Sequence, residues 1–172
     1  LTVYGDSSGA FYTSLQATRV SGPSQIAATE QIYAVYNTNT GTIANNSETR
    51  VNYATKVADS HGAVTTGASW VFTCPSAGSY YVKATLAGSS DAAWTSGEQK
   101  NLRIYRNGNA YALNINTSAQ ASSDLFQTEI SGLVAGCKAG DTIDISFYQN
   151  SGGTFTIYTT FAVASQITIH RT

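Results

Sequence analysis

The 172-residue sequence has no methionine, two prolines and two cysteines, and only 11% of its residues are charged, against about 25% in an average globular chain. Each shortage excludes something. With nine Lys and Arg against ten Asp and Glu and a net charge of −1, the chain lacks the clustered cations that nucleic acid and anionic lipid require, so neither is expected as a partner. No apolar run approaches the roughly 18 residues of a membrane span and no basic-then-apolar secretory signal is present, so membrane insertion is not expected. Cys74 and Cys137 are too few for a disulfide framework or a metal cage. Both stand in turn-like sequence, beside Pro75 and Lys138, and two unpaired thiols or a single bridge are equally open at this level. His61 and His170 are the only histidines, so an imidazole-based metal or acid–base site has almost no material. The acids are scattered singly and make no D-x-D-x-D-G calcium loop, although Asp59, Asp91, Asp124 and Asp141 all stand at loop ends. No cofactor is expected and no metal site is assigned, while calcium held by loop-end aspartates that meet in space stays open at this level. The missing initiator suggests a processed chain or a fragment with further sequence upstream of Leu1.

What replaces charge is Ser, Thr, Asn and 11 tyrosines, arranged with the period of β-structure. The clearest stretch runs from Trp70 to Leu86. An apolar run, Trp70-Val71-Phe72, ends at Pro75, which cannot donate to a sheet ladder, and Gly78 frees the backbone to turn. Beyond it, Tyr80, Val82, Ala84 and Leu86 fall on one face of a strand, with Tyr81, Lys83 and Thr85 on the other.

The same alternation recurs along the chain. Short β-like pieces at Leu1–Tyr4 and Phe11–Val20 precede a breaker, Ser21-Gly22-Pro23-Ser24, which marks a boundary. Strands are predicted at Gln31–Asn37, at Thr49–Val57 with Val51 and Tyr53 on one face, and at Leu102–Arg106 and Ala110–Ile115. The last two flank Asn107-Gly108, the strongest short-range hairpin signal in the chain. Leu125–Val134, Thr142–Asn150 (Ile143, Ile145 and Phe147 inward), Thr154–Phe161 and Val163–His170 complete the set. No amphipathic helix is evident. Short strands at regular spacing with turn chemistry between them predict an all-β sandwich or jelly roll. Residues 1–25 read as an N-terminal β extension or link to a stalk, and residues 26–172 as the head domain.

The catalytic-looking motifs have plainer explanations. Gly5-Asp6-Ser7-Ser8-Gly9 superficially matches the block around a serine nucleophile, but no His and Asp precede it, and Gly, Ser and Asp are ordinary turn residues. Asp59-Ser60-His61 contains the three letters of a triad, yet neighbours on an extended chain point to opposite sides. Asp141 after Ala139-Gly140 is explained as a turn residue bonding its own backbone. No enzymatic activity is expected.

The aromatics are more informative. Tyr81, Tyr105 and Tyr148 lie on faces opposite the inward sets, and tyrosine with its apolar body and polar tip is favoured at interfaces; they are the candidate subunit-interface residues. Trp94, in a Gly/Ser/Asp/Thr loop, is a candidate to stack on a sugar, with lid packing over the core as the alternative use. Asp91 in the same loop and Tyr111 after the hairpin join it as candidate ligand-binding residues.

Read in order, several phrases resemble one family. Asp59-Ser60-His61-Gly62, Trp70 to Val82, Leu102-Arg103-Ile104-Tyr105-Arg106-Asn107-Gly108, Leu133, Lys138-Ala139-Gly140-Asp141-Thr142-Ile143 and an apolar final strand at Val163–Ile169 are similar to the tumour necrosis factor-like superfamily. Within it they resemble in particular the globular head of complement component one-q and its bacterial and phage relatives. The resemblance covers Gln31 to Thr172 and implies a ten-stranded jelly roll that assembles as a tight homotrimer, usually at the end of a fibrous stalk. It implies binding of partners through outer loops and apex, and no catalysis. It also implies that Cys74 and Cys137 lie at the same end of the sandwich, where they would form a disulfide. The final strand departs from the family's Ser-Phe-Ser-Gly-Phe ending, having Phe161-Ala162-Val163-Ala164-Ser165, and the family's calcium-site residues are not recognisable.

Composition and resemblance together suggest a trimeric phage tail fibre or tailspike tip that binds a host-surface glycan or protein receptor, located on the virion or otherwise extracellular or at a cell surface. The alternatives are a carbohydrate-binding module of a secreted polysaccharide-degrading enzyme and the head of a bacterial surface or spore filament.

Overall fold

A computed structural model describes residues 31–38, 40–117, 126–158 and 164–172. The predicted strands at Leu1–Tyr4 and Phe11–Val20, and Asp124, lie outside the described residues. Gln31–Thr172 forms one compact unit. Among the described residues there is no α-helix, and so none long and apolar enough to cross a membrane.

The chain is an all-β sandwich. Its strands are β1 (Tyr33–Asn37), β2 (Thr42–Ile43), β3 (Ser47–Arg50), β4 (Thr55–Asp59), β5 (Val64–Thr65), β6 (Val71–Thr73), β7 (Gly78–Ser90), β8 (Gln99–Arg106), β9 (Asn109–Thr117), β10 (Phe126–Cys137), β11 (Thr142–Gln149), β12 (Phe155–Ile157) and β13 (Gln166–Arg171). The division is finer than the ten strands expected, because two-residue pairings such as β2 and β5 stand as strands of their own.

The two sheets share one plan. In the first, β7 is paired along its length by β10 on one side, and on the other by β13 (at Tyr80–Ala84) and β12 (at Gly88–Ser90) in series. β2 continues beyond β12, and β1 and β4 continue beyond β13. In the second, β11 is paired by β8 on one side, and on the other by β6 (at Thr142–Asp144) and β3 (at Ser146–Gln149) in series, with β5 beyond β6 and β9 beyond β8.

The inward faces are those the alternation predicts. Tyr80, Val82, Ala84 and Leu86 of β7 and Ile143, Ile145 and Phe147 of β11 have no exposed surface. At one end Tyr53 and Phe72 pack on Trp70, with Phe72 also edge-on to Tyr80. At the other, Phe126 contacts Trp94, Phe147 and Phe155. The buried tyrosine hydroxyls are partnered: Tyr53 donates to the Thr85 carbonyl at 3.0 Å and Tyr80 to the Ser76 carbonyl at 2.7 Å. The Asn107-Gly108 hairpin forms as predicted, with φ of 50° and 75° at its two central residues, the positive values that a type I′ turn requires.

One predicted strand is corrected. Thr49–Val57 is not continuous: β3 belongs to the second sheet and pairs with β11, whereas β4 belongs to the first and pairs with β1. Residues 51–54 cross between the sheets, and Val51 and Tyr53 are buried on the way. Alternation alone cannot see such a crossing, because a residue buried between two layers looks the same from either.

Gly88 sits where three strands converge, opposite Phe126 of β10 and Ile157 of β12. A Cβ there would lie 2.3 Å from Phe155 Cζ and 2.3 Å from the Thr156 carbonyl oxygen. Backbone cannot yield as a flexible side chain can, so Gly88→Ala is expected to cost about 1–3 kcal/mol by overpacking. Urea unfolding of the variant checks this through a lowered midpoint at unchanged slope.

Candidate functional site

The open face of the first sheet carries one row of large side chains in register. Tyr33 of β1 stands opposite His170 of β13, His170 opposite Tyr81 of β7, and Tyr81 opposite Leu133 of β10. Tyr33 is 41% and Leu133 49% exposed, and the Tyr81 and His170 rings are 5.4 Å apart. The next row on this face holds Val35, Thr168, Lys83 and Ser131, with Lys83 paired to Glu129 at 3.0 Å. The large aromatic and apolar side chains Tyr33, Tyr81 and Leu133 are therefore gathered, with His170, at one end of the sheet.

A second exposed apolar stripe lies on β9, the edge strand of the second sheet. Tyr111, Leu113 and Ile115 are each more than two-fifths exposed, at every second position. Side chains of β9 lace this edge to β10, the edge of the first sheet. The Tyr111 hydroxyl accepts the Ala135 N–H at 3.1 Å, Asn114 Nδ2 donates to the Glu129 carbonyl, and Asn116 Nδ2 donates to Thr128 Oγ1 at 2.7 Å. Main-chain groups that an open edge would leave unpaired are thereby satisfied. An open cleft of about 400 Å³ runs between the two strands, lined by Ala112, Leu113, Asn114, Glu129, Ile130 and Ser131.

The outer face of the second sheet is different in kind. Glu48 of β3 accepts hydrogen bonds from Tyr105, from Ser146 Oγ at 2.5 Å and from Arg103 at 2.5 Å. Arg50 pairs with Asp144, and its guanidinium lies 3.5 Å above the Tyr105 ring. Tyr148 donates to Asn46 Oδ1 at 2.6 Å. Burial would raise the Glu48 carboxyl, but the hydroxyls of Ser146 and Tyr105 and the charges of Arg103 and Arg50 outweigh it and hold the group below its ordinary value. Asp144 is pushed up by burial, aided by the like charge of Glu48 and opposed by Arg50.

No family model and no curated protein matches the sequence. Solved structures do. Eiger TNF from S. frugiperda aligns over 83% of this chain and 92% of its own at TM-score 0.57 and 11% identity. Murine APRIL aligns over 83% and 98% at 0.58 and 11%. The globular domain of zebrafish complement 1qA aligns over 81% and 94% at 0.51 and 13%. The fold is that of the tumour necrosis factor and C1q heads. At such identities the likeness is one of fold, and the site must be read from this chain's own residues.

Within this TNF-like sandwich the three tyrosines expected at a subunit interface are divided. Tyr81 belongs to the apolar row on the first sheet, whereas Tyr105 and Tyr148 belong to the second, with their hydroxyls bonded to Glu48 and Asn46. The alternation had told inward from outward correctly for all three, but carries no information on which outward face is meant.

The candidate ligand-binding residues are likewise not brought together. Trp94 is 1% exposed, edge-on to Phe126 at 5.2 Å and covered by Lys100, whose Nζ is 4.8 Å from its ring centre. This corrects the expectation that it offers a stacking face to a sugar. A polar loop folds its one large apolar side chain into the core because burying an indole outweighs leaving it in water. Asp91 accepts the Thr154 N–H at 2.6 Å and so fastens the turn at residues 151–154. Tyr111 lies near the hairpin, at the opposite end of the sandwich.

Asp59-Ser60-His61 forms no relay. Asp59 accepts the N–H groups of His61, Ala63 and Val64 at 3.1–3.2 Å and the Tyr36 hydroxyl at 3.1 Å, so its carboxylate holds main chain rather than the imidazole. Asp141 does the same at the other turn. It accepts from Lys138 N at 2.8 Å, Asn107 Nδ2 at 2.9 Å and Arg106 at 2.8 Å. These contacts, led by the Lys138 N–H, bring its carboxyl down to about 2. Among the described residues no three His, Cys, Asp or Glu side chains could hold a metal ion together.

Because the folded Asp141 value lies below that of an unfolded aspartate, about 3.9, its contribution is fully present above pH ~4 and is lost as pH falls towards 2. The melting temperature should therefore drop across that window. Asp141→Asn should lower it at pH 7 and make the acid drop shallower, as read by thermal melts from pH 7 to pH 2.

Proposed function

We propose that this chain is a non-enzymatic trimeric head of a phage tail fibre or tailspike, which holds three fibre chains together and binds a glycan or protein receptor on the host surface. The observation that carries the assembly is the register row Tyr33, His170, Tyr81 and Leu133. It is an apolar and aromatic surface on a charge-poor chain, and tyrosine is enriched where protein surfaces meet. The β9 stripe of Tyr111, Leu113 and Ile115 is a second, dissimilar apolar surface on another part of the same chain. Two unlike surfaces that meet head to tail give a heterologous contact, which closes into a ring when the rotation permits. Three copies is the closure implied by the resemblance to complement component one-q heads.

The proposed interface keeps Tyr81 and leaves out Tyr105 and Tyr148, whose polar groups are taken up within the chain. The outer face of the second sheet, with Glu48, Arg50, Arg103 and the two tyrosines, then remains outside the assembly and available to a receptor. On this reading the protein sits at a virion tail tip, or otherwise outside a cell. The carbohydrate-binding-module reading loses its best support with the burial of Trp94.

Light scattering on the purified chain should give three times the 18.1 kDa of one chain. Tyr81→Lys and Leu133→Asp should each shift low-micromolar protein to monomer by at least tenfold in dissociation constant, with the far-ultraviolet spectrum unchanged, while Tyr105→Phe should stay trimeric. A monomeric parent chain would overturn the assembly. A trimer that fails to bind any host cell or surface glycan would leave trimerisation as its role.

A further inference from the structure

The two cysteines end strands of different sheets. Cys74 follows β6 in the second sheet, and Cys137 is the last residue of β10 in the first. Both are free thiols, 1% and 2% exposed. Cys74 is clamped by its own main chain: its N–H donates to the Asp141 carbonyl at 2.8 Å, and its carbonyl accepts the Gly140 N–H at 2.9 Å. The turn that follows Cys137 is thus bonded directly to Cys74.

Cys137 faces inward only because β10 breaks its own alternation. Ile130 and Val134 are buried with period two, which would put residue 136 inside and residue 137 outside. The register with β7 slips between Val134 and Cys137, and Gly136 takes φ +64°. This is a bulge, and its extra residue turns Cys137 back into the core. Arg106 holds it there, donating to the Ala135 carbonyl at 2.9 Å and the Gly136 carbonyl at 2.7 Å while pairing with Asp141 at 2.8 Å. A bulge, a left-handed glycine and a three-way arginine contact together aim one thiol at the end of the other sheet.

We propose that Cys74 and Cys137 are a redox pair that closes, in the presence of a small-molecule disulfide, into a covalent pin joining the two sheets at this end. The inference rests on the fold and is independent of the proposed assembly. The reaction is thiol–disulfide exchange. One cysteine thiolate attacks oxidised glutathione, forming a mixed disulfide and releasing one glutathione thiolate. The second cysteine then attacks the protein-side sulfur, forms the Cys74–Cys137 bond and expels the second glutathione. The protein loses two protons and two electrons, and one oxidised glutathione becomes two reduced ones.

Burial sets when this can happen. Burial, and then the neighbouring Cys137, push the Cys74 thiol up to about 12, so in the folded chain it is a poor nucleophile as well as an inaccessible one. Exchange is therefore expected while the chain folds, or on opening of the 135–141 turn, and to be slow in the closed native protein. Once formed, the bond closes a loop of about 60 residues and restricts the unfolded chain.

The full chain should be refolded from denaturant with a glutathione couple rich in the oxidised form, and its thiols counted after renewed denaturation. None should remain, two should return on reduction, the mass should fall by two hydrogens, and the melting temperature should rise by roughly 5–15 °C in a dithiothreitol-sensitive way. Oxidised glutathione added to already folded protein should bridge it at least tenfold more slowly. Two thiols persisting after oxidative refolding, stable glutathione adducts or cross-linked dimers would each overturn the proposal. Arg106→Gln keeps both cysteines but releases the bulge, and should lower the bridged fraction at a fixed glutathione ratio several-fold; an unchanged fraction would refute the aiming role. Cys74→Ala/Cys137→Ala should melt at one temperature whatever the redox state.

Discussion

The structure depends on one constraint: the inner faces of β7 and β11 must cover each other. Neither strand has another way to bury its inward residues, since a sheet presents one of its faces to whatever layer lies against it. Tyr80, Val82, Ala84 and Leu86 on one side and Ile143, Ile145 and Phe147 on the other are fully excluded from solvent. Each central strand also has one long partner, β10 or β8, and two short ones in series. The short partners leave gaps along the central strand, and the chain uses these gaps to pass from one sheet to the other, as at residues 51–54. Aromatic clusters around Trp70 and Phe126 plug the two ends of the core.

The scarce charges follow from the same economy. Asp59, Asp91 and Asp141 each bond main-chain N–H groups of a turn, and Glu48 and Asp144 lie inside a network with Arg50 and Arg103. A carboxylate that accepts several amide hydrogens replaces hydration the turn would otherwise need, and at Asp59 and Asp141 these bonds hold the carboxyl below its ordinary value. Few charges are then left for the open face of the first sheet, where Lys83 and Glu129 are paired with each other. Another protein surface can cover Tyr33, Tyr81 and Leu133 there without desolvating a carboxylate or an ammonium group, which would be costly.

Much of the fold was legible because alternation reports burial directly. The corner from Trp70 to Leu86, the Asn107-Gly108 hairpin and the inward set of β11 needed only period two and turn chemistry. The split of Thr49–Val57 was not legible, because Val51 and Tyr53 keep an apolar spacing while crossing between layers. For Trp94 the structure takes the lid-packing alternative over sugar stacking, because a polar loop predicts exposure of its backbone, not of its largest side chain. The division of Tyr81 from Tyr105 and Tyr148, and the lacing of β9 to β10 by Tyr111, Asn114 and Asn116, depend on which strands become neighbours. Local pattern does not encode that.

The bulge in β10 shows why such departures carry more than the rule they break. An unbroken β10 would pair cleanly with β7 to its end and leave residue 137 on the outer face. The chain instead gives up ladder pairing at Ala135 and Gly136, and the lost partners are restored from outside the sheet, by Arg106 to both carbonyls and by the Tyr111 hydroxyl to the Ala135 N–H. Both side chains come from β8 and β9 of the other sheet. The irregularity therefore makes the two sheets interdependent at this end, and it is the same irregularity that turns Cys137 towards the core. Loss of Arg106 would release the 135–141 turn, the position of Cys137 and the anchoring of Asp141 together, since all three share its guanidinium.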